Sequence, residues 1–337
     1  MLKNNKDKDD ISCSMKKQCT YMFNNGNRCD HQTFENSDFC GFHTRDAGFP
    51  GKDENARHSL EEMARQEKSL EGFNLQQLNL HDISLIGADL ENADFSRANL
   101  SYSHLYGANL KGANFFKTDL TGANLRSACL EDVNLLGANL DKAKFDMAHW
   151  NKDFIIINEK EGIAAEKKNN RQSALEKYKE AEEIYRNIKL SLRDQGHSRD
   201  ESPFFHREKI MQRKQMPIFS PGRIFSKVMD MTTGYGEKPL NVLTTMAFDI
   251  FMAAIFYGLF GVQQGDKILS FGSKNPSGLM DTLGNLIYFS CVVFTTVGFG
   301  DILPSGFSKF IMMFQALSGQ ILIAFFIVAL YKKSMSR

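Results

Sequence analysis

Three cysteines and a histidine near the N-terminus have the types and spacing of a structural metal site. They are Cys19, Cys29, Cys40 and His43, which fall within 25 residues. Zinc favours four thiolate or imidazole ligands in a tetrahedron, and a segment this short has little apolar core of its own. The spacing therefore predicts a structural Zn²⁺ in residues 1–45, with Cys13 and His31 as substitute ligands. The alternative is a loose tail whose cysteines are incidental.

A second stretch, residues 295–301 with the sequence TTVGFGD, has the properties of a backbone ion site. A dehydrated potassium ion needs rings of oxygens in place of water, and stacked backbone carbonyls supply them. Successive carbonyls can face one axis only where the backbone alternates through left-handed conformations, which Gly298 and Gly300 permit because they lack Cβ. One loop supplies one oxygen at each level, so four copies of the chain are required.

This stretch resembles the selectivity-filter signature of potassium channels. The resemblance implies that K⁺ is bound by Thr296, Val297, Gly298, Phe299 and Gly300. It also implies a supporting set, which consists of Thr295, of Asp301 at the outer edge, and of Tyr288 and Phe289 as an aromatic cuff. There are two departures from the signature. Phe299 replaces the usual tyrosine, and residues 291–294 lack the carboxylate that pairs with the filter aspartate in some channels, so we expect filter stability and inactivation to differ.

Two apolar stretches flank the filter, and each is long enough to cross a bilayer, which takes about 20 residues. They are residues 240–262 and 307–330, and the broken apolar stretch between them, residues 281–304, predicts a re-entrant pore loop. Basic residues are concentrated before the first span and after the second, which predicts cytoplasmic termini. Residues 240–337 are thus predicted to form the all-α, two-span pore domain of a multi-pass cell-membrane protein.

Two residues within the spans are candidates for gating. Gly319 lies midway along the second span, where related channels bend to open, and a glycine needed at a helix crossing is the alternative. Asp249 lies near the centre of the first span, where an unpaired carboxylate costs on the order of 3 kcal/mol or more. We therefore expect Asp249 to face protein, either paired or protonated, and to bias gating.

The middle of the chain repeats every five residues. From Leu75 to Phe145 each fifth residue is Leu or Phe, and a small residue precedes most of them by two positions. A period of five fits neither a helix nor a strand, but it fits a solenoid in which each repeat forms one side of a coil. Residues 71–150 resemble the pentapeptide-repeat family, which implies a right-handed, four-sided β-helix of nearly four coils that serves as a scaffold, spacer or docking surface.

Shorter segments connect these domains. Residues 46–70 predict a linker with one short helix, and residues 151–216 predict a helical connector. An apolar stripe from Ala174 to Leu192 indicates its first helix, and residues 198–216 form its second; the pair loosely resembles a tetratricopeptide-type hairpin. Residues 217–239 mix basic and apolar side chains and predict a membrane-surface segment.

Composition narrows the class of function. The net charge of +1 indicates no nucleic-acid partner, the charged N-terminus predicts no cleaved secretory signal, and no nucleophile–base pair or phosphate loop indicates an enzyme. We therefore expect a multidomain, homotetrameric, potassium-selective channel subunit in the lipid bilayer. Its cytosolic domains would gate or organise it through an unidentified partner or ligand. The alternatives are a poorly selective cation channel, which Phe299 disfavours, and a membrane-anchored scaffold with a vestigial pore, which the intact filter disfavours.

Overall fold

The computed structural model describes residues 17–33, 37–44, 54–196, 198–265, 267–272 and 278–335. The chain forms two compact units, Met1–Gly196 and His197–Arg337. The predicted connector of residues 151–216 is therefore divided between the units. Its first part hydrogen-bonds to the repeat domain, whereas residues 198–215 contact the helix that precedes the first apolar span.

The repeat segment winds into a solenoid with 20 residues in each coil. Parallel β-bridges join residues 20 positions apart, from the Asn74–Asp94 pair to the Cys129–His149 pair, so four repeats complete one coil. The large apolar residues at every fifth position from 75 to 145 point inward and are at most 5% exposed. The alanines two positions before them are buried as well, so large and small side chains alternate in the core.

A left-handed residue recurs at every fifth position from Gly72 to Met147, two positions after each inward Leu or Phe. Many of these corner residues are not glycine: Tyr102 and Lys142, for example, have φ of 59° and 56°. A left-handed backbone costs a residue with a Cβ roughly 1–2 kcal/mol. Hydrogen bonds between coils hold the corners in place, as where the Tyr102 N–H donates to the Thr121 carbonyl at 2.7 Å.

The first unit begins with a compact segment that is built around the three cysteines. Antiparallel bridges form a short hairpin across residues 18–32, with Gly26 in its turn at φ 82°. Helix α1, Glu54–Arg65, follows and packs on the solenoid. Leu60 is fully buried, and the Glu61 carboxylate accepts a hydrogen bond from the Ser84 N–H at 3.0 Å.

A helical hairpin follows the solenoid within the same unit. It consists of α2, Ile157–Lys167, and α3, Arg171–Asp194. The buried face of α3 runs from Ala174 to Leu192, as its apolar stripe predicts. The partner of α3 is α2, which differs from the expected pair with residues 198–216. The sequence hid α2 because this helix buries Asn158, Glu159 and Gly162 rather than an apolar stripe.

The described part of the second unit contains five helices and a small sheet. They are α4 Ser198–Gln215, α5 Pro221–Thr233, α6 Pro239–Phe260, β1 Val262–Gln264, β2 Lys267–Leu269, α7 Gly278–Phe294, β3 Leu303–Pro304 and α8 Ser308–Met335. The sheet is antiparallel with the order β2-β1-β3, and Val262 pairs with both Leu269 and Pro304. Helices α6 and α8 are long and apolar enough to cross a membrane.

Helix α5 occupies the predicted membrane-surface segment, and its ends are set by local sequence. The Ser220 hydroxyl accepts a hydrogen bond from the Arg223 N–H at 3.2 Å, Pro221 occupies the first turn, and Gly234 ends the helix at φ 55°. Ile224 and Phe225 are exposed on its surface. The helix therefore carries an apolar face that no described part of its own unit covers.

Candidate functional site

Residues 295–301 have an alternating backbone. Thr296, Gly298 and Gly300 have φ of 58°, 62° and 78°, and the residues between them have no left-handed φ. This alternation is what consecutive carbonyl groups need in order to face one axis. The sequence pointed to the two glycines but missed Thr296, because a β-branched residue rarely takes this conformation.

Helix α7 positions this stretch, which begins directly at the C-terminal end of the helix. The N–H groups of Thr295, Thr296 and Val297 donate to carbonyls of the last turn of α7, at 3.0–3.1 Å. The Thr295 hydroxyl donates to the Cys291 carbonyl at 2.8 Å. A helix C-terminus carries a partial charge of about −0.5, so α7 presents a field that favours a cation beside Thr296.

A chain of buried polar side chains joins α6, α7 and α8 behind this stretch. The Tyr257 hydroxyl on α6 donates to Gln315 Oε1 on α8 at 2.8 Å, and Gln315 Nε2 donates to Ser290 Oγ on α7 at 2.6 Å. The Ser290 hydroxyl in turn donates to the Ile250 carbonyl of α6 at 2.7 Å. Because each partner is satisfied and buried, the chain fixes the relative positions of the three helices. The sequence analysis missed these residues, whose signal is an isolated polar side chain in an apolar span.

The two residues of the expected aromatic cuff occupy different positions. Tyr288 is partly exposed, and its hydroxyl lies within hydrogen-bonding reach of the Asp301 carboxylate. Phe289 is 4% exposed and packs against the ring of Tyr257 with a centroid distance of 4.8 Å. Within this chain, Tyr288 therefore braces the outer end of residues 295–301, whereas Phe289 belongs to the core between α6 and α7.

The small sheet anchors the chain just beyond Asp301. Ile302 is 3% exposed, and the hydroxyls of Ser305 and Ser308 both donate to the Gly261 carbonyl, at 2.9 and 2.7 Å. The end of α6 is thereby tied to the start of α8. Sequence analysis missed this sheet because strands of two or three residues carry no periodic pattern.

Both gating candidates lie where α8 contacts its neighbours. A Cβ built on Gly319 would be 2.4 Å from the Phe294 carbonyl oxygen at the end of α7, so a larger residue requires movement. This geometry favours the close-packing alternative for Gly319. The Ser318 hydroxyl lies 3.3 Å from a carboxylate oxygen of Asp249 and can donate to it, which places Asp249 against protein.

The four predicted metal ligands converge in the first unit. Their donor atoms lie within 4.8 Å of one another, and all four residues are buried. His43 Nδ1 is 3.2 Å from Cys40 Sγ and 3.6 Å from Cys19 Sγ. His43 Nε2 donates to the Glu71 carbonyl at 3.0 Å, which leaves Nδ1 as the ligand atom. Three sulfurs and one nitrogen fit a structural zinc ion.

The surroundings of these ligands also favour a metal. The hydrogen bond with Cys29, together with His43, lowers the pKa of the Cys40 thiol. Tyr21 stacks on the His43 ring at 3.8 Å, and burial next to Glu71 raises the pKa of Tyr21 to about 12. Of the substitute ligands, His31 has its Nδ1 3.4 Å from Cys29 Sγ but is not part of the cluster. Cys13 lies outside the described residues.

Two family models match parts of the chain. Pentapeptide repeats match residues 79–115 and 118–149 in 8 copies, and an ion channel family matches residues 268–334. No curated protein matches this chain.

Several solved structures of pentapeptide repeat proteins are similar to part of the chain. One from the cyanobacterium Cyanothece 51142 is 35% identical over 26% of this chain and 58% of its own, with a TM-score of 0.22. One from the thylakoid lumen of Arabidopsis thaliana is 33% identical over 22% and 47%, with a TM-score of 0.16. One from Nostoc PCC 7120 is 28% identical over 29% and 83%, with a TM-score of 0.21. The chain thus spans about half the length of the first two.

The two family matches fall in different units of the structure. Residues 79–149 lie in the solenoid, and residues 268–334 include the alternating backbone and α8, one of the two candidate membrane helices. Neither family is a class of enzymes. The chain is therefore a membrane protein that contains a pentapeptide-repeat domain and an ion channel domain.

Proposed function

We propose that the chain is a subunit of a potassium-selective channel whose filter is formed by residues 296–300. The observation that carries this proposal is the left-handed alternation at Thr296, Gly298 and Gly300, at the C-terminal end of α7. Four such strands around one axis give the rings of carbonyl oxygens that replace the hydration shell of K⁺. The apolar Phe299 between the glycines favours this function over a poorly selective cation channel, whose filter tends to carry a polar residue there.

Assembly into a homotetramer is supported by the surface of the single chain. Val297 and Phe299 are 56% and 68% exposed, although the proposal places them at the centre of a pore. The apolar stretches of α6 and α8 are only 28% and 11% buried. Lipid and three further copies of the chain would cover these surfaces, since bare apolar area of this extent is unfavourable in water.

Ion flux through the purified, reconstituted protein tests the proposal. We expect bi-ionic reversal potentials to show that K⁺ permeates far better than Na⁺, and Gly298→Ala to abolish this preference because the residue needs φ 62°. Gly284→Ala is the matched control, since a Cβ there meets nothing within 4 Å. A reversal potential near zero for Na⁺ against K⁺ indicates the poorly selective channel. A correctly assembled tetramer without flux indicates the membrane-anchored scaffold.

The proposal includes one structural zinc ion for each chain, bound by the four converging ligands. Metal analysis of freshly purified protein should find about one zinc per chain, and Cys40→Ser should lose it because one of four ligands is removed. Cys129→Ser, in the solenoid and away from the cluster, should retain zinc. Wild-type protein without zinc contradicts this assignment.

We place both termini in the cytoplasm and α5 at the membrane surface, where its exposed Ile224 and Phe225 contact lipid. The first unit would then be cytosolic, and we propose that it regulates or organises gating in response to a partner or ligand. Deleting Met1–Gly196 should change the open probability but leave K⁺ selectivity intact. A truncated channel that assembles and gates like the full chain would rule out the regulatory role.

A further inference from the structure

The two ends of the solenoid pose a specific physical problem. Each coil donates and accepts hydrogen bonds with the next coil, so the first and last coils present backbone and apolar groups that lack a neighbouring coil. At the C-terminal end α3 covers the last coil, where the Ser191 hydroxyl donates to the Leu140 carbonyl at 2.9 Å. Something must cover the N-terminal end as well.

The cysteine segment makes backbone contacts with the first coil. The Asn74 N–H donates to the Phe42 carbonyl at 2.7 Å, and the Asn74 side-chain amide donates to the Thr44 carbonyl at 2.9 Å. The Phe42 ring stacks on Phe73, with centroids 4.6 Å apart. Residues 42–44 directly follow the ligand Cys40 and include the ligand His43, so their position depends on the metal cluster.

Glu71 provides the second link between the segment and the solenoid. It is only 4% exposed, and its carboxylate accepts hydrogen bonds from the Asn24 N–H at 2.8 Å and the Tyr21 hydroxyl at 3.4 Å. Its carbonyl accepts the bond from His43. Both described partners of the buried carboxylate lie between the ligands Cys19 and Cys29. Removing one partner of a buried charge is strongly destabilising, because the charge is left without compensation.

The segment has little to hold it together apart from a metal. Its buried core consists of the three cysteines, with Tyr21, Phe23 and Phe42 packed against them. A core of this size is too small to fold by itself, so the free energy of metal binding becomes the free energy of folding.

We propose that the zinc-loaded segment is a metal-dependent cap on the first coil of the solenoid. With zinc bound, the segment seals the coil through Asn74 and compensates the buried charge of Glu71. When a chelator removes zinc, the three thiolates take up protons, the segment unfolds and the first coil opens. This inference rests on the proposed zinc site but does not depend on ion selectivity.

Hydrogen exchange on the full-length protein in detergent tests the cap. We compare the zinc-loaded protein with the same protein after a zinc chelator, and Cys40→Ser with Cys129→Ser. The expected result is that amides of residues 70–79 exchange at least ~10-fold faster after zinc loss, while residues 110–140 in the middle of the solenoid are unchanged. Glu71→Gln should keep its zinc yet still exchange faster in residues 70–79, because the amide cannot replace both hydrogen bonds.

The outcomes separate the cap from the metal site. If metal analysis finds zinc, and its removal leaves residues 70–79 as protected as before, the cap is wrong and the zinc site stands. If the purified protein holds no zinc while residues 70–79 are protected, both the zinc site and its role as a cap are refuted. Potassium selectivity, measured on the same preparations, reports separately on the channel.

Discussion

Replacing Gly319 by alanine distinguishes the two roles open to this glycine. The added Cβ would be 2.4 Å from the Phe294 oxygen and 3.2 Å from the Phe294 carbonyl carbon. Restoring a normal separation of roughly 3.5 Å requires α8 and the end of α7 to move apart by about 1 Å. Overpacking of this kind costs about 1–3 kcal/mol in each chain.

The displacement falls at a sensitive place, because Phe294 precedes Thr296 by only two residues. We therefore expect Gly319→Ala to lower the thermal stability of the tetramer and to weaken the preference for K⁺ over Na⁺. Thermal unfolding followed by size-exclusion chromatography measures the first effect, and bi-ionic reversal potentials measure the second. Gly284→Ala on α7 is the control, since its Cβ enters open space.

A hinge makes a different prediction for the same variant. If Gly319 serves only to let α8 bend, alanine should leave assembly and selectivity at the wild-type level and should reduce the open probability alone. That result would refute the packing argument, because a helix crossing that accepts a methyl group 2.4 Å from a carbonyl oxygen cannot be tightly packed.

Three further predictions concern other parts of the chain. Lys332 Nζ on the last part of α8 lies 2.7 Å from the Glu237 carboxylate; neutralising either residue should shift the gating equilibrium by up to about 1 kcal/mol per chain, and the charge-swapped pair should restore it, whereas purely additive effects in electrophysiology would refute the coupling. Burial lowers the pKa of His206, which bonds to Asp230 at 2.7 Å, so the α4–α5 contact should be fully stable above pH 6.5 and weaken as the pH falls below it; melting curves at pH 7.5 and about 5.5 should show a loss that His206→Gln reduces. Gly107→Val should destabilise the solenoid by about 1–2 kcal/mol through backbone strain, since φ is +66° and a Cβ there meets nothing; unchanged hydrogen exchange around this corner would contradict the strain argument.

Features with a strong local pattern could be predicted from the sequence. The solenoid core was visible because every coil requires an inward Leu or Phe at a fixed position, and the ligand cluster because zinc accepts few residue types. The left-handed corners at residues such as Tyr102 were not visible, since the ladder on either side imposes a conformation that the residue itself disfavours. Tertiary structure overrides local preference there.

Features that depend on long-range contacts escaped the sequence analysis. Gln315 and Ser290 are separated by 25 residues and become partners only when α7 and α8 pack together. The pairing of Tyr288 with Asp301 likewise depends on the return of the chain after α7. Glu71 was indistinguishable from any surface glutamate until the cysteine segment was placed over it.

The 20-residue coil makes the solenoid behave like a screw thread. Inserting four repeats lengthens it by one coil, about 4.8 Å, and leaves every attached element facing the same direction. Inserting one repeat instead turns everything beyond it by about a quarter turn with only about 1.2 Å of advance. Reach and orientation can therefore be altered independently, in steps of five residues, without redesigning either end. The helical hairpin after residue 150 would follow each step as a nut follows its bolt.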